Sequence, residues 1–220
     1  PKHVIFVLAT TEIVKLPETI ISRCETHTFK KPSQKILKNA VLAIAKAEGF
    51  TLESAAADLI ALLGDGSFRD AQGILQKILS SSSDKKISVS EVEKIAGAPK
   101  GTLVNDIVSA IGEGKLEKGL KAVNTAVEEN IDMKMFLKMI LHKVRSVMLL
   151  KYAKDMEAVL REQFGKEDFD FLKKLSKEEK GKINSNTLNE FLIAYDETGR
   201  SYIPQLPLEL AIIKILKQDK

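Results

Sequence analysis

Apolar residues recur every three to four positions along most of this chain, a spacing that predicts amphipathic helices. Ser33 caps the first of them, which runs to about residue 48 with Ile36, Leu37, Ala40, Val41, Ile44 and Ala45 on one face. Gly49 stops it. Thr51 or Glu53 opens a second, through Ala57, Leu59, Ile60 and Leu63 to Gly64, and Ser67 starts a third through Ala71, Ile74, Leu75 and Ile78. Residues 80–86 read as a polar loop. Ser88 and Glu91 form a Ser-x-x-Glu capping pattern for a fourth helix, which ends at Gly97 before a linker centred on Pro99. Further helices are expected at 103–112, 116–129, 133–156, 187–200 and 208–216, with 165–182 as a looser connection holding a short helix around 169–175.

The first thirty residues follow another pattern. Residues 4–8 are a continuous β-branched and aromatic run, the mark of a strand buried on both faces, and residues 26–29 alternate as a second short strand. Pro17 suits the first turn of a short helix between them. Two strands cannot make a stable sheet, so the segment reads as the edge of a larger α/β domain whose other strands lie upstream. The expected fold is mainly α: residues 1–30 as a β-α-β remnant, 31–99 as a small helical domain, and 100–220 as a helical bundle.

Composition narrows the classes of function. The chain has 220 residues, a net charge of +4 from 34 basic and 30 acidic side chains, and one cysteine, Cys24. The charge permits a nucleic-acid or nucleotide partner without requiring one. A lone cysteine excludes an internal disulfide framework and suits a reducing cytoplasm. No apolar run is long enough to span a bilayer, so no membrane partner is expected. Aromatics are only 5% and tryptophan is absent, which argues against stacking platforms for single strands.

Four places carry candidate chemistry. Thr10 and Thr11 end the first strand-like run, where ligands bind in open α/β sheets. Their hydroxyls either satisfy turn backbone groups or meet a phosphate and a water. Arg23 follows the short helix, either as a solvated side chain or as an arginine offered to a phosphate on another subunit. Cys24 is expected as a small buried hydrophobe. In Gly64-Asp65-Gly66-Ser67-Phe68-Arg69-Asp70-Ala71, the first helical turn carries Asp70, which suits the helix dipole, and Arg69, which does not. A cation kept there is explained by an anionic partner or by surface tolerance. Lys134, Lys138, His142 and Arg145 share one face of the long helix, with Lys143, Lys151 and Lys154 nearby, as a solvated face, a docking face for an acidic helix, or a phosphate-tracking stripe.

Together, Leu8 to Cys24 ("LATTEIVKLPETIISRC"), the Gly64–Ala71 motif and the closing "IPQLPLELAIIKIL" at 203–216 resemble the clamp-loader subunits of the AAA+ ATPase superfamily, in particular bacterial DNA polymerase III gamma/tau. The resemblance implies that residues 1–30 end a nucleotide-binding domain, 31–99 form its lid and 100–220 an oligomerising collar. It implies Thr11, with Thr10 beside it, as sensor 1, Arg23 as the arginine finger acting in trans, and Arg69 as sensor 2 on the ATP phosphates. It further implies ATP and Mg in the intact parent, other clamp-loader subunits as partners in a hetero- or homo-pentamer, and a sliding clamp and primed DNA as the targets of DNA replication.

The sequence also departs from the family. It has no Gly-x-x-x-x-Gly-Lys-Ser/Thr loop and no apolar strand ending in a magnesium-binding acidic pair. It reads as a C-terminal part of such a subunit, expected neither to hydrolyse ATP nor to bind it tightly, and no metal site is expected. Two other readings stay open: a stand-alone helical interaction module, and a basic helical nucleic-acid binder using Lys134, Lys138 and Arg145.

Overall fold

The computed structural model describes residues 3–82, 84–178 and 182–217. It divides into two compact units, residues 1–31 and 32–220.

In the first unit a 3-10 turn, Ile13–Lys15, precedes a one-turn helix α1, Glu18–Ile21, with Pro17 at its N-cap. The remainder is turns, bends and stretches without regular structure. Residues 4–8 and 26–29, expected as strands, carry no strand ladder, and Ile5, Phe6, Val7 and Phe29 are each more than 80% exposed. The physical reason is direct. An extended run becomes a strand only when a neighbouring strand takes its N–H and C=O groups. Cys24, expected to be buried, is exposed for the same lack of a covering layer.

The second unit begins with α2, Gln34–Ala47, where the Ser33 hydroxyl accepts the Ile36 N–H. β1, Thr51–Leu52, leads to α3, Ser54–Leu63, and α4, Phe68–Ser81, follows with Ser67 accepting the Asp70 N–H. β2, Lys86–Ile87, pairs in parallel with β1, Thr51 opposite Lys86 and Leu52 opposite Ile87. This pair went unforeseen because two residues are too few to show a period. Only its inward members, Leu52 and Ile87, are buried. α5, Val89–Ala96, is capped by Ser88, and Gly97 ends it at φ +69°. Only half of the expected capping box forms, since the Glu91 carboxylate takes the Ser82 hydroxyl instead of returning to Ser88.

The segment expected as a linker is a packed joint: Ala98 and Pro99 are buried, and the Gly101 N–H donates to the Glu93 carboxylate at 2.7 Å. α6, Gly101–Glu113, and α7, Leu116–Glu128, then precede α8, Met133–Tyr152. At 1.5 Å per residue α8 spans roughly 30 Å. α6, α10 and α11 all pack against it. The stretch expected to be loose is regular: α9, Glu157–Gln163, and α10, Lys166–Ser176, the latter burying Phe169, Leu172 and Leu175. Residues 179–181 of that stretch lie outside the described residues. α11, Ser185–Thr198, opens with a capping box between Asn184 and Thr187, and α12, Leu206–Lys217, packs on α11 and α7.

Residues 32–217 share one hydrophobic core. Leu37, Ile60, Leu75 and Ile78 fill it among α2–α4; Ile107, Phe136, Ile140, Phe191 and Ile212 fill it in the bundle. Close approach of α7 to α12 rests on Gly119, where a Cβ would meet Ile212 at 3.2 Å. No helix among the described residues is long and apolar enough to cross a membrane.

Candidate functional site

Thr10, Thr11 and Arg23 lie in the first unit, and Arg69 in the second. Thr10 and Thr11 are exposed, and the Thr10 hydroxyl accepts the Glu12 N–H at 3.0 Å, the turn-satisfying role that its position permits. The Arg23 guanidinium donates to the Thr19 carbonyl, and Ser22 donates weakly to the same oxygen at 3.4 Å. A cation there meets the negative end of α1, so a phosphate acceptor would compete with that carbonyl for the guanidinium.

Arg69 stands in the first turn of α4, exposed and without an ion pair among the described residues. The turn before it is tightly built. Gly64 is buried against α4, and a Cβ there would lie 2.7 Å from Ala71 Cβ and 3.0 Å from Ala71 backbone atoms. Asp65 at φ +49° and Gly66 at φ +78° then reverse the chain. Asp65 is one of the residue types that tolerate this left-handed conformation. The Ser67 N–H donates to the Gly64 carbonyl at 2.8 Å, and Ser67 in turn holds the Asp70 and Ala71 amides. Gly64→Ala is therefore expected to cost about 1–2 kcal/mol, read as a shifted urea midpoint, because backbone rather than a flexible side-chain tip must give way.

The expected basic stripe on α8 is broken up by packing. Arg145 is exposed, Lys134 lies over the Tyr195 ring at 5.2 Å, and Lys138 pairs with Asp65 at 2.9 Å. Lys143 is buried, its ammonium donating to Asn105 Oδ1 at 2.7 Å and Asp168 Oδ1 at 2.9 Å, while Asn105 donates to the same Asp168 oxygen at 3.0 Å. Burial pulls the Lys143 ammonium below the usual lysine range, and Asp168 pulls it partly back. Lys143 thus joins α6, α8 and α10, and cannot serve a phosphate backbone. The signal for this was in the sequence: position 143 falls on the face of Phe136, Ile140 and Val147, not on the solvent face.

Asn105, Lys143 and Asp168 border a cleft of about 740 Å³ between α2–α5 and the bundle, with Leu59, Leu62, Met139 and Phe164 as its apolar walls. On one rim Lys38 holds Asp58 at 2.6 Å and reaches the Glu162 carbonyl at 3.4 Å. Burial raises the Asp58 carboxyl against the pull of Lys38. It raises Glu93 too, opposed by the Gly101 N–H. His142 stacks obliquely on Phe164 with ring centroids 5.2 Å apart. Burial first, then Arg145, Lys143 and Lys138, push it down to about 4.

The sequence lacks the phosphate-cradling loop, and no group of three metal-ligating side chains gathers among the described residues. What the chain does offer an anion is an exposed arginine at a helix start, Arg69, and a second beyond α1, Arg23.

No family profile matches the chain. Bacillus subtilis DNA polymerase III subunit tau is 27% identical over 215 residues, covering 98% of this chain and 38% of that subunit. The gamma/tau subunit of Mycoplasma genitalium is 30% identical over 154 residues, 70% of this chain and 26% of the relative. Subunit tau of Escherichia coli K12 is 30% identical over 164 residues, 72% of this chain and 25% of the relative. The solved Bacillus subtilis DNA clamp loader delta protein (YqeN) matches at 16% identity and a TM-score of 0.44, over 95% of this chain and 64% of that one. The chain spans between a quarter and two fifths of the length of these curated relatives. By sequence, the chain is a homologue of the DNA polymerase III gamma/tau subunits, matching a part of their length.

Proposed function

We propose that this chain serves as part of a gamma/tau clamp-loader subunit, supplying the lid, the collar and two phosphate-directed arginines to an assembly that uses ATP to place a sliding clamp on primed DNA. The observation that carries this reading is the match to subunit tau over 98% of the chain, which takes in both arginine-bearing motifs. In this reading residues 31–99 are the lid and 100–220 the collar. Arg69 meets an anion bound by its own subunit, Arg23 one bound by a neighbour, and Thr10 and Thr11 lie at the first of these. DNA binding and the nucleotidyltransferase reaction belong to the assembled polymerase holoenzyme.

The surface fits assembly through the collar. Leu192 and Ile193 of α11, Ile203, and Leu206 and Leu210 of α12 are all exposed large apolar residues, and Tyr202 is fully exposed. Such side chains gain stability when another helical surface covers them. The test is co-elution in size exclusion with the other clamp-loader subunits of the same organism, mass being read by light scattering. Stoichiometric complex is expected, with Leu192→Glu/Leu210→Glu abolishing it. Separate elution of a folded chain overturns the reading.

The chain by itself is expected to release phosphate from ATP no faster than its Arg69→Ala variant. A clear excess over that control would show a nucleotide site that the sequence lacks.

A further inference from the structure

We propose that Lys138 of α8 is a positioning residue for Arg69, holding the α3–α4 turn at the angle from which Arg69 is presented. This deepens the reading above and rests on it only for what Arg69 meets.

The ion pair between Lys138 Nζ and Asp65 Oδ1 is 2.9 Å long and links the bundle to that turn. Its two ends differ in a way that suits a coupling contact. The Lys138 side chain is 23% exposed and fixed on a long helix, whereas Asp65 is 69% exposed on a turn. On α8, the following turn carries Lys143, anchored to α6 and α10 through Asn105 and Asp168. The ammonium of Lys138 is therefore set by the bundle.

The turn, by contrast, has little room to absorb a displacement by itself. Asp65 and Gly66 are both left-handed, Gly64 is pressed against Ala71, and Ser67 holds the Asp70 and Ala71 amides. Moving Asp65 shifts the first turn of α4, and Arg69 lies within that turn. A change in the bundle is then felt as a change in where the guanidinium points, with no contact between Arg69 and the bundle needed.

Three amides report this directly: Ser67 N–H on the Gly64 carbonyl at 2.8 Å, Asp70 N–H on Ser67 Oγ at 3.2 Å, and Ala71 N–H on the Ser67 carbonyl at 3.1 Å. In Lys138→Met, which keeps the apolar stem, hydrogen exchange at these amides is expected to be about two- to five-fold faster, the scale of a partly exposed ion pair. Their NMR signals are expected to shift with it. Lys134→Met, one turn away on the same helix, is expected to leave them unchanged. The exchanged pair Lys138→Asp/Asp65→Lys is expected to restore at least half of the protection, and raised salt to speed exchange in the unaltered chain but not in Lys138→Met.

Unchanged exchange and signals in Lys138→Met overturn the proposal, as does an equal response to Lys134→Met. Titration with inorganic pyrophosphate, read at the Arg69 Nε–H signal, separates the two readings. If the Lys138 effect is present and pyrophosphate moves nothing, positioning stands and the anion-sensing reading fails.

Discussion

Lys143→Ala is expected to lower the unfolding free energy by about 3 kcal/mol. A buried ammonium carries a desolvation cost that only a complete set of partners offsets, and here Asn105 and Asp168 complete it at 2.7 and 2.9 Å. Truncation strands those partners. Asn105 keeps one bond to Asp168, but the Asp168 charge loses its counter-ion, and the space of the lysine stem is left empty between three helices. Because Asp168 remains 37% exposed, water screens part of its charge, so the cost falls at the lower end of that for a fully buried pair. Two further variants isolate the cause. Lys143→Met refills the space but leaves the charge unpaired, and is expected to recover less than half of the loss. Lys143→Met with Asp168→Asn also removes the charge, and is expected to recover most of it. Urea denaturation of the three proteins measures this; a loss below about 1 kcal/mol in Lys143→Ala would mean that the pair acts as an ordinary surface ion pair.

How much of this was legible depended on the length scale of each signal. The helices α2, α4 and α5 declared themselves, because their apolar positions repeat and the caps at Ser33, Ser67 and Ser88 are local chemistry. The two-residue pairing of Leu52 with Ile87 has no period and depends on a partner more than thirty positions away. Residues 4–8 show the reverse failure: the pattern says strand, yet strand is a property of two chains of hydrogen bonds, and one run cannot supply both. α10 was underestimated because its charges mask three inward positions, Phe169, Leu172 and Leu175. The motif at Gly64–Ala71 was readable as a turn and cap, but not its attachment to Lys138. The spacing that puts Lys134, Lys138, His142 and Arg145 on one face of α8 does not tell that Lys134 covers Tyr195 and Lys138 pairs with Asp65. Helical phase separates Lys143, which shares the inward face, from Arg145, which does not.

Stability is expected to fall by up to about 3 kcal/mol as pH drops from 6.5 toward 4, with His142 as the main cause. Half-buried beside Phe164 and close to Arg145, Lys143 and Lys138, its imidazole is held down to about 4 in the folded chain. Above pH 6.5 the ring is neutral whether the chain is folded or not, and its contribution is complete. Below that, the unfolded chain gains a proton that the folded chain refuses, so the equilibrium tilts toward unfolding at about 1.4 kcal/mol per unit until the folded ring also titrates. Asp58 and Glu93 act with the opposite sign. Their carboxyls are raised by burial, so the folded chain takes up protons first and regains stability once pH enters the carboxylate range. The slope is therefore expected to be steepest between pH 6.5 and 5 and to flatten below. Thermal or urea unfolding at pH 7, 6 and 5 provides the readout, and His142→Gln is expected to be nearly flat across that interval. An equal slope in that variant would assign the acid sensitivity elsewhere. The expected result would instead assign that sensitivity to the His142 imidazole packed against Phe164.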